Sequence, residues 1–326
     1  MVVLRLSPGA LSRCRFVISP LAETIGSLIV LQRRTANPAL AQWCTQHYAA
    51  YREWLSQDEV AAGLLPLLAT TNRLPGVVTP PQAGVRTRLA DELAQVAAHS
   101  DEYLRAVAVE AVAACQQPPD TQWLSSDRLG ERVAEVLRAG WKRFVATDWR
   151  RRRAVLERDI AYRTSLLADH GLRHAVETMQ DGPVWFGDDA IVLNRRPGPD
   201  RWIGDDGLVF VPRTTSGGWW VCKAPPRYGL IYSAFGAAAP TATSVSEDPL
   251  SVLLGAGRAR VLRELVRPAT SSQLAVILDV SLGTVSSHLS VLRDADMVTR
   301  ARVGRIVVYR LTDRGTRLLT VLEPAP

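Results

Sequence analysis

The stretch from Thr270 to Leu311 leaves the backbone the fewest choices. "TSSQLAVILDVSLGTVSSHLSVLRDADMV" opens with a capping box, in which Thr270 accepts from the amide three residues on and Gln273 reaches back. Leu274, Ile277 and Leu278 give the short helix that follows one buried side. Asp279-Val280 marks a turn, and Ser281 supplies the next N-cap. On the helix from Leu282, the residues Val285, Leu289 and Leu292 fall within about 60° of one another at about 100° per residue. "VTRARVGRIVVYRLT" then reads as a hairpin, with Val307, Tyr309 and Leu311 alternating inward and Gly304 at the tip.

Two helices joined by a tight turn and followed by a basic hairpin make a winged helix-turn-helix. The second helix carries an anomaly. Gly283, Ser287 and Ser290 point away from its apolar stripe, with Thr284 on the flank. A glycine inside a helix costs about 1 kcal/mol relative to alanine, so helix stability does not account for Gly283. A face left bare for a phosphate or a base edge, with hydroxyls as donors and acceptors, does. Between Met297 and Thr312 there is no acidic residue, but there are Arg300, Arg302, Arg305 and Arg310. The chain carries a formal charge of +7 with a pI of about 9.6, compatible with a polyanion. The candidate DNA contacts are Thr270, Ser271, Ser281, Gly283, Thr284, Ser287, His288, Arg300, Arg302 and Arg305. Each has a structural alternative: capping explains Thr270 and Ser281, and packing explains His288.

The pieces "TVSSHLSVLRDADMV" and "GRIVVYRLT" resemble the DNA-binding domain of the ArsR-type transcriptional regulators. The resemblance covers about the last quarter of the chain. It implies a winged helix-turn-helix that binds duplex DNA. Asp279 and Asp296 stand where that family often has glycine, and aspartate tolerates left-handed backbone better than most residues. The family's metal sensors carry a cysteine pair before the second helix or acidic and histidine pairs on the last. "SSQLAVILDV" has no cysteine and "DRGTRLLTVLE" no histidine, so no metal and no cofactor is expected. Upstream, "LSPGALSRCRFVISPLAETIGSL", "VVTPPQAG" and "RDIAYRTSLLADHGL" are similar to an uncharacterised domain of actinobacterial regulators.

The rest of the chain reads as a helical domain over residues 1–235 with a small sheet, a linker over 236–247, and the winged unit over 248–326. The expected fold class is α+β, mainly helical. "VVLRLSPG" suggests a strand and turn. Helical patterns broken at Pro20 and Pro38 follow, then a loop over Leu74–Gly84 and one or two helices from Ser126 to Leu167. "AIVLN", "GLVFVP", "WWVCKAP" and "GLIYSAF" predict the small sheet between Val184 and Phe235. Arg150 to Arg153 read as a solvated helix face before a second nucleic-acid patch. Trp185, Trp202, Trp219 and Trp220 read as core or dimer contacts before a ligand pocket. His170 and His174 have metal-compatible spacing that is common by chance. The four cysteines form no CxxC pair, so reduced thiols are expected. Phe16–Leu31 is too short and polar to span a bilayer.

These features predict a cytoplasmic, homodimeric transcription regulator on double-stranded DNA. It would have no membrane contact and no catalytic role, and its N-terminal domain would sense a small-molecule effector or dimerise. Two rivals stand beside it: an enzyme or small-molecule-binding N-terminal domain with an accessory winged helix, and a winged helix that binds proteins.

Overall fold

The computed structural model describes residues 2–34, 38–70, 73–79, 87–113, 115, 119–179, 184–193, 200–215, 220–224, 227–234, 248–303 and 306–322. The architecture is α+β and mainly helical. The chain divides into two compact units, one of residues 1–148 and 163–239, the other of residues 149–162 and 240–326. The segment 236–247 read as a linker lies outside the described residues. The placement of residues 149–162 with the C-terminal unit is not contained in the sequence reading.

In the first unit, prolines begin helices: Pro8–Arg13, Pro20–Arg33 and Pro38–Gln57. Proline at the first helical position loses an amide that would have no partner anyway. The "VVLRLSPG" turn is therefore the start of a helix, capped by Ser7 accepting from the Ala10 amide at 3.0 Å. The expected loop from Leu74 is also helical in its first part, Arg73–Val78, because Pro75 falls in the first turn, where it is tolerated. The Ser126–Leu167 stretch resolves into two helices, Leu129–Phe144 and Trp149–Glu177, with a 3₁₀ turn Ala146–Asp148 between them. The second breaks at Gly171, whose φ is +80°. Helix Pro20–Arg33 is buried on all sides from Pro20 to Leu31 and packs against Glu59–Thr70 and Leu129–Phe144. An apolar surface all round is what a central helix requires.

The single small sheet expected from Val184 to Phe235 is instead two four-stranded sheets, each completed by a strand from the chain's beginning. With β1 Val2–Leu6, β2 Arg15–Phe16, β3 Val184–Phe186, β4 Ala190–Leu193, β5 Arg201–Ile203, β6 Leu208–Arg213, β7 Trp220–Ala224 and β8 Arg227–Ser233, the orders are β3-β4-β1-β5 and β2-β6-β8-β7. β6 is buried at every position and lies between parallel neighbours β2 and β8, matching its continuous apolar run. Trp185 and Trp220 are core residues, while Trp202 is exposed; Trp219 lies outside the described residues. Cys14, Cys44 and Cys115 are free thiols, and burial pushes the Cys14 thiol up to about 11. Among the described residues no single helix is long and apolar enough to cross a membrane.

The second unit has its own core. Leu250, Val261, Leu262, Leu265, Leu274, Leu278, Val285, Leu289, Leu292, Val298 and Leu319 form one buried cluster. They come from helices Pro249–Leu254, Ala256–Glu264 with its C-cap Leu265, Ser271–Leu278, Leu282–Asp294 and Asp313–Leu322, and from strand β9 Val298–Val303, whose hairpin partner β10 Ile306–Leu311 packs Tyr309 and Leu311 against them. Leu253 is 63% exposed, because the helix stops at Gly255 after six residues and only its Leu250 side meets the core.

Candidate nucleic-acid interface

Both caps predicted from the sequence form. Thr270 Oγ1 accepts from the Gln273 amide at 3.1 Å, and Gln273 Oε1 accepts from the Thr270 amide at 2.9 Å. Ser281 Oγ accepts from the Thr284 amide at 3.0 Å and lies 2.8 Å from Thr284 Oγ1. Helix Ser271–Leu278 ends at Asp279, which is left-handed (φ 53°, ψ 51°), and the chain turns by 116° into helix Leu282–Asp294. That angle lies in the range of helix-turn-helix pairs. Asp296, after the second helix, is also left-handed at φ 57°. Aspartate thus takes a left-handed backbone after each of the two helices.

The second helix buries Val285, Leu289 and Leu292, as its period requires. Leu282, Gly283, Thr284, Ser286, Ser287 and Val291 are exposed, and Ser290 is half-buried. The small-residue face is thus turned away from the unit's own core. A Cβ added at Gly283 would meet only Ser281 Oγ, at 3.7 Å, an ordinary contact. Nothing within the described residues needs glycine there. His288 behaves otherwise: its ring is half-buried against Gly257 on helix Ala256–Glu264, where an added Cβ would come within 2.5 Å of Nε2. Exposed Ser286 and Leu282 join the face that sequence reasoning drew with Gly283 and Ser287; their exposure depends on how the first turn leaves the core, which periodicity does not encode.

The hairpin pairs Val298 with Leu311, Arg300 with Tyr309, and Arg302 with Val307. Cross-strand partners share a face. That face starts on the core, with Val298 buried and Tyr309 and Leu311 packed on the cluster, and runs outward to the exposed Arg300 and Arg302. Val307, expected to point inward, is 40% exposed, because among the described residues the hairpin extends past the last core layer. Ala269 exchanges two backbone hydrogen bonds with Tyr309, at 3.0 and 2.8 Å, and so ties the hairpin's base to the segment before the first helix. Gly304 and Arg305 lie outside the described residues. Thr270 and Ser271 are half-buried at the first helix's start. The structure therefore brings Ser281, Gly283, Thr284 and Ser287 together on one exposed helix face, places Arg300 and Arg302 on the hairpin, and turns His288 inward.

Residues 149–162 hold the base of this assembly. Arg158 meets Glu264 at 2.5 Å with side chains 4% and 13% exposed, and Arg267 meets Asp159 at 3.1 Å with side chains 8% and 0% exposed. The Arg267 guanidinium also sits 4.1 Å over the Tyr162 ring. Arg151 Nε donates to the Ile277 carbonyl at 3.1 Å, and Arg152 is buried, so the run Arg150 to Arg153 is not the uniformly solvated face expected of it. No signal in the sequence paired this segment with residues a hundred positions later. Asp248 caps helix Pro249–Leu254, and the Arg263 guanidinium 2.6 Å away holds its carboxyl well below the usual range.

His170 and His174 meet edge to face, 5.0 Å between ring centroids, and among the described residues no group of three or more His, Cys, Asp or Glu side chains could hold a metal ion. Comparison with curated proteins and with solved structures returned no match. A family model described as a helix-turn-helix domain matches residues 258–301, from helix Ala256–Glu264 into β9. The chain carries a helix-turn-helix domain at the place where the geometry puts the bent helix pair.

Proposed function

We propose that the protein is a sequence-specific, DNA-binding transcription regulator of the ArsR type. The observation that carries this reading is the exposed, sparsely built face of helix Leu282–Asp294, on which nothing among the described residues requires Gly283 to be glycine. The helix enters the major groove by its first turns, where Ser281, Thr284 and Ser287 offer hydroxyls to phosphates and base edges. Gly283 lets the backbone come close. Arg300 and Arg302 carry the hairpin onto the sugar-phosphate backbone, with Arg305 expected beside them. Thr270 and Ser271 offer the amino end of the first helix to a phosphate. The protein acts as a homodimer, one helix per half-site, in the cytoplasm, by binding rather than by catalysis. Its N-terminal unit senses a non-metal effector or dimerises. A gel-shift titration against the protein's own upstream region, repeated over a salt series, tests this. The expected result is a saturable complex that weakens linearly in log[salt]; no complex at low salt contradicts it.

A further inference from the structure

The helix-turn-helix has a second basic neighbour that the sequence places far away. Arg151 Nε holds the Ile277 carbonyl, so the start of helix Trp149–Glu177 lies beside the carboxyl end of helix Ser271–Leu278 and hence beside the turn Asp279–Ser281. Arg260 Nη2 reaches the Leu278 carbonyl at 3.0 Å from another helix. A helix carboxyl end carries roughly half a negative charge, and Asp279 adds a carboxylate. Arg151 and Arg260 answer the carbonyls of that end. Arg150, the next residue, is exposed, and its side chain makes no ion pair or hydrogen bond among the described residues. Its charge is thus open to an outside anion, on the element that Arg151 ties to the residues before the turn into the exposed helix.

We propose that Arg150 is a further DNA contact, donating to a backbone phosphate that flanks the groove on the side of the turn. The proposal rests on the DNA-binding reading above and extends the interface to a segment more than a hundred residues upstream. Arginine suits this role because its planar fork matches phosphate oxygens. Such a contact fixes the position of the helix along the duplex without reading sequence. A reader of base edges would need to project into the groove beside Ser287; Arg150 stands on helix Trp149–Glu177, apart from that face.

The test is a salt series of anisotropy titrations of the full chain with a labelled duplex of random sequence, long enough for two half-sites. For Arg150→Ala the slope of log K against log[salt] is expected to flatten by about 0.9, the equivalent of one phosphate contact. Arg150→Gln must give the same flattening, and Arg150→Lys must keep most of the slope. The thermal midpoint of all three should match the unaltered chain. An unchanged slope in Arg150→Ala overturns the proposal and leaves the DNA reading standing. A flattening in the alanine variant that glutamine does not reproduce also overturns it, since charge would not be the cause. An unaltered chain with no salt-dependent binding overturns both.

Discussion

Gly283 is the residue at which stability and function pull apart. Its surroundings would accept a methyl group, so Gly283→Ala should stabilise the fold by up to about 1 kcal/mol in denaturant melts. The same change should weaken DNA binding, because the added carbon stands on the approaching face. A gain in both would mean the glycine serves neither. Arg302 belongs to the opposite class. It is exposed on the hairpin, where a side-chain interaction is worth little, and Arg302→Ala should cost the fold less than about 1 kcal/mol while flattening the salt slope of binding by about 0.9. Local chemistry was the most legible part of this chain. The Thr270–Gln273 box, the Ser281 cap and the two left-handed aspartates form within a few residues of themselves, so the string of letters carries them. His288 was not legible in the same way. Its partner is Gly257, on another helix, and only packing decides that the ring turns inward.

Among the elements, the second helix follows from its period, and its buried residues are the expected ones. The sheets do not. β1 pairs with β4 and β5 across nearly two hundred residues, and no periodicity within either strand names its partner. Helix Pro20–Arg33 shows a similar long-range debt. Pro20 has no amide, Ser19 Oγ takes the Ala22 amide at 2.9 Å, and the Leu21 amide is taken at 2.9 Å by the carboxylate of Glu92, 71 residues on. Ser19 also donates to Glu92. Burial pushes the Glu92 carboxyl up to about 7, against the lowering effect of those two hydrogen bonds. A carboxyl whose folded value is raised keeps its proton in the native state while the unfolded chain has lost it. Stability should therefore fall as pH rises from about 4.5 to about 7 and level off above, by about 3 kcal/mol in all. Glu92→Gln should abolish most of that decline in urea melts taken across this range. A decline of equal size in the variant would assign it to other groups.

At the scale of the molecule, the helix-turn-helix unit is larger than its sequence signature. Residues 149–162 contribute Arg158 and Asp159 to ion pairs that are nearly out of water, with Glu264 and Arg267 as partners. Removing one member of such a pair strands the other, at a cost of about 3–5 kcal/mol. Asp159→Ala should lower the midpoint of the C-terminal unit's melt accordingly, and Asp159→Ala with Arg267→Met should recover part of the loss. A single-residue loss under about 1 kcal/mol would mean that water reaches the pair. This partnership was beyond the sequence reading because an arginine run looks the same whether it is solvated or bonded to a distant carbonyl. The central claim is that the exposed face of helix Leu282–Asp294 is left bare for a duplex. The most direct measurement is the DNA affinity of Ser287→Glu beside the unaltered chain, at fixed salt, with melts of both. The account predicts an unchanged melt and binding lost by at least tenfold, since a carboxylate would face phosphates and base edges there. Equal affinity of the two proteins for DNA would contradict it.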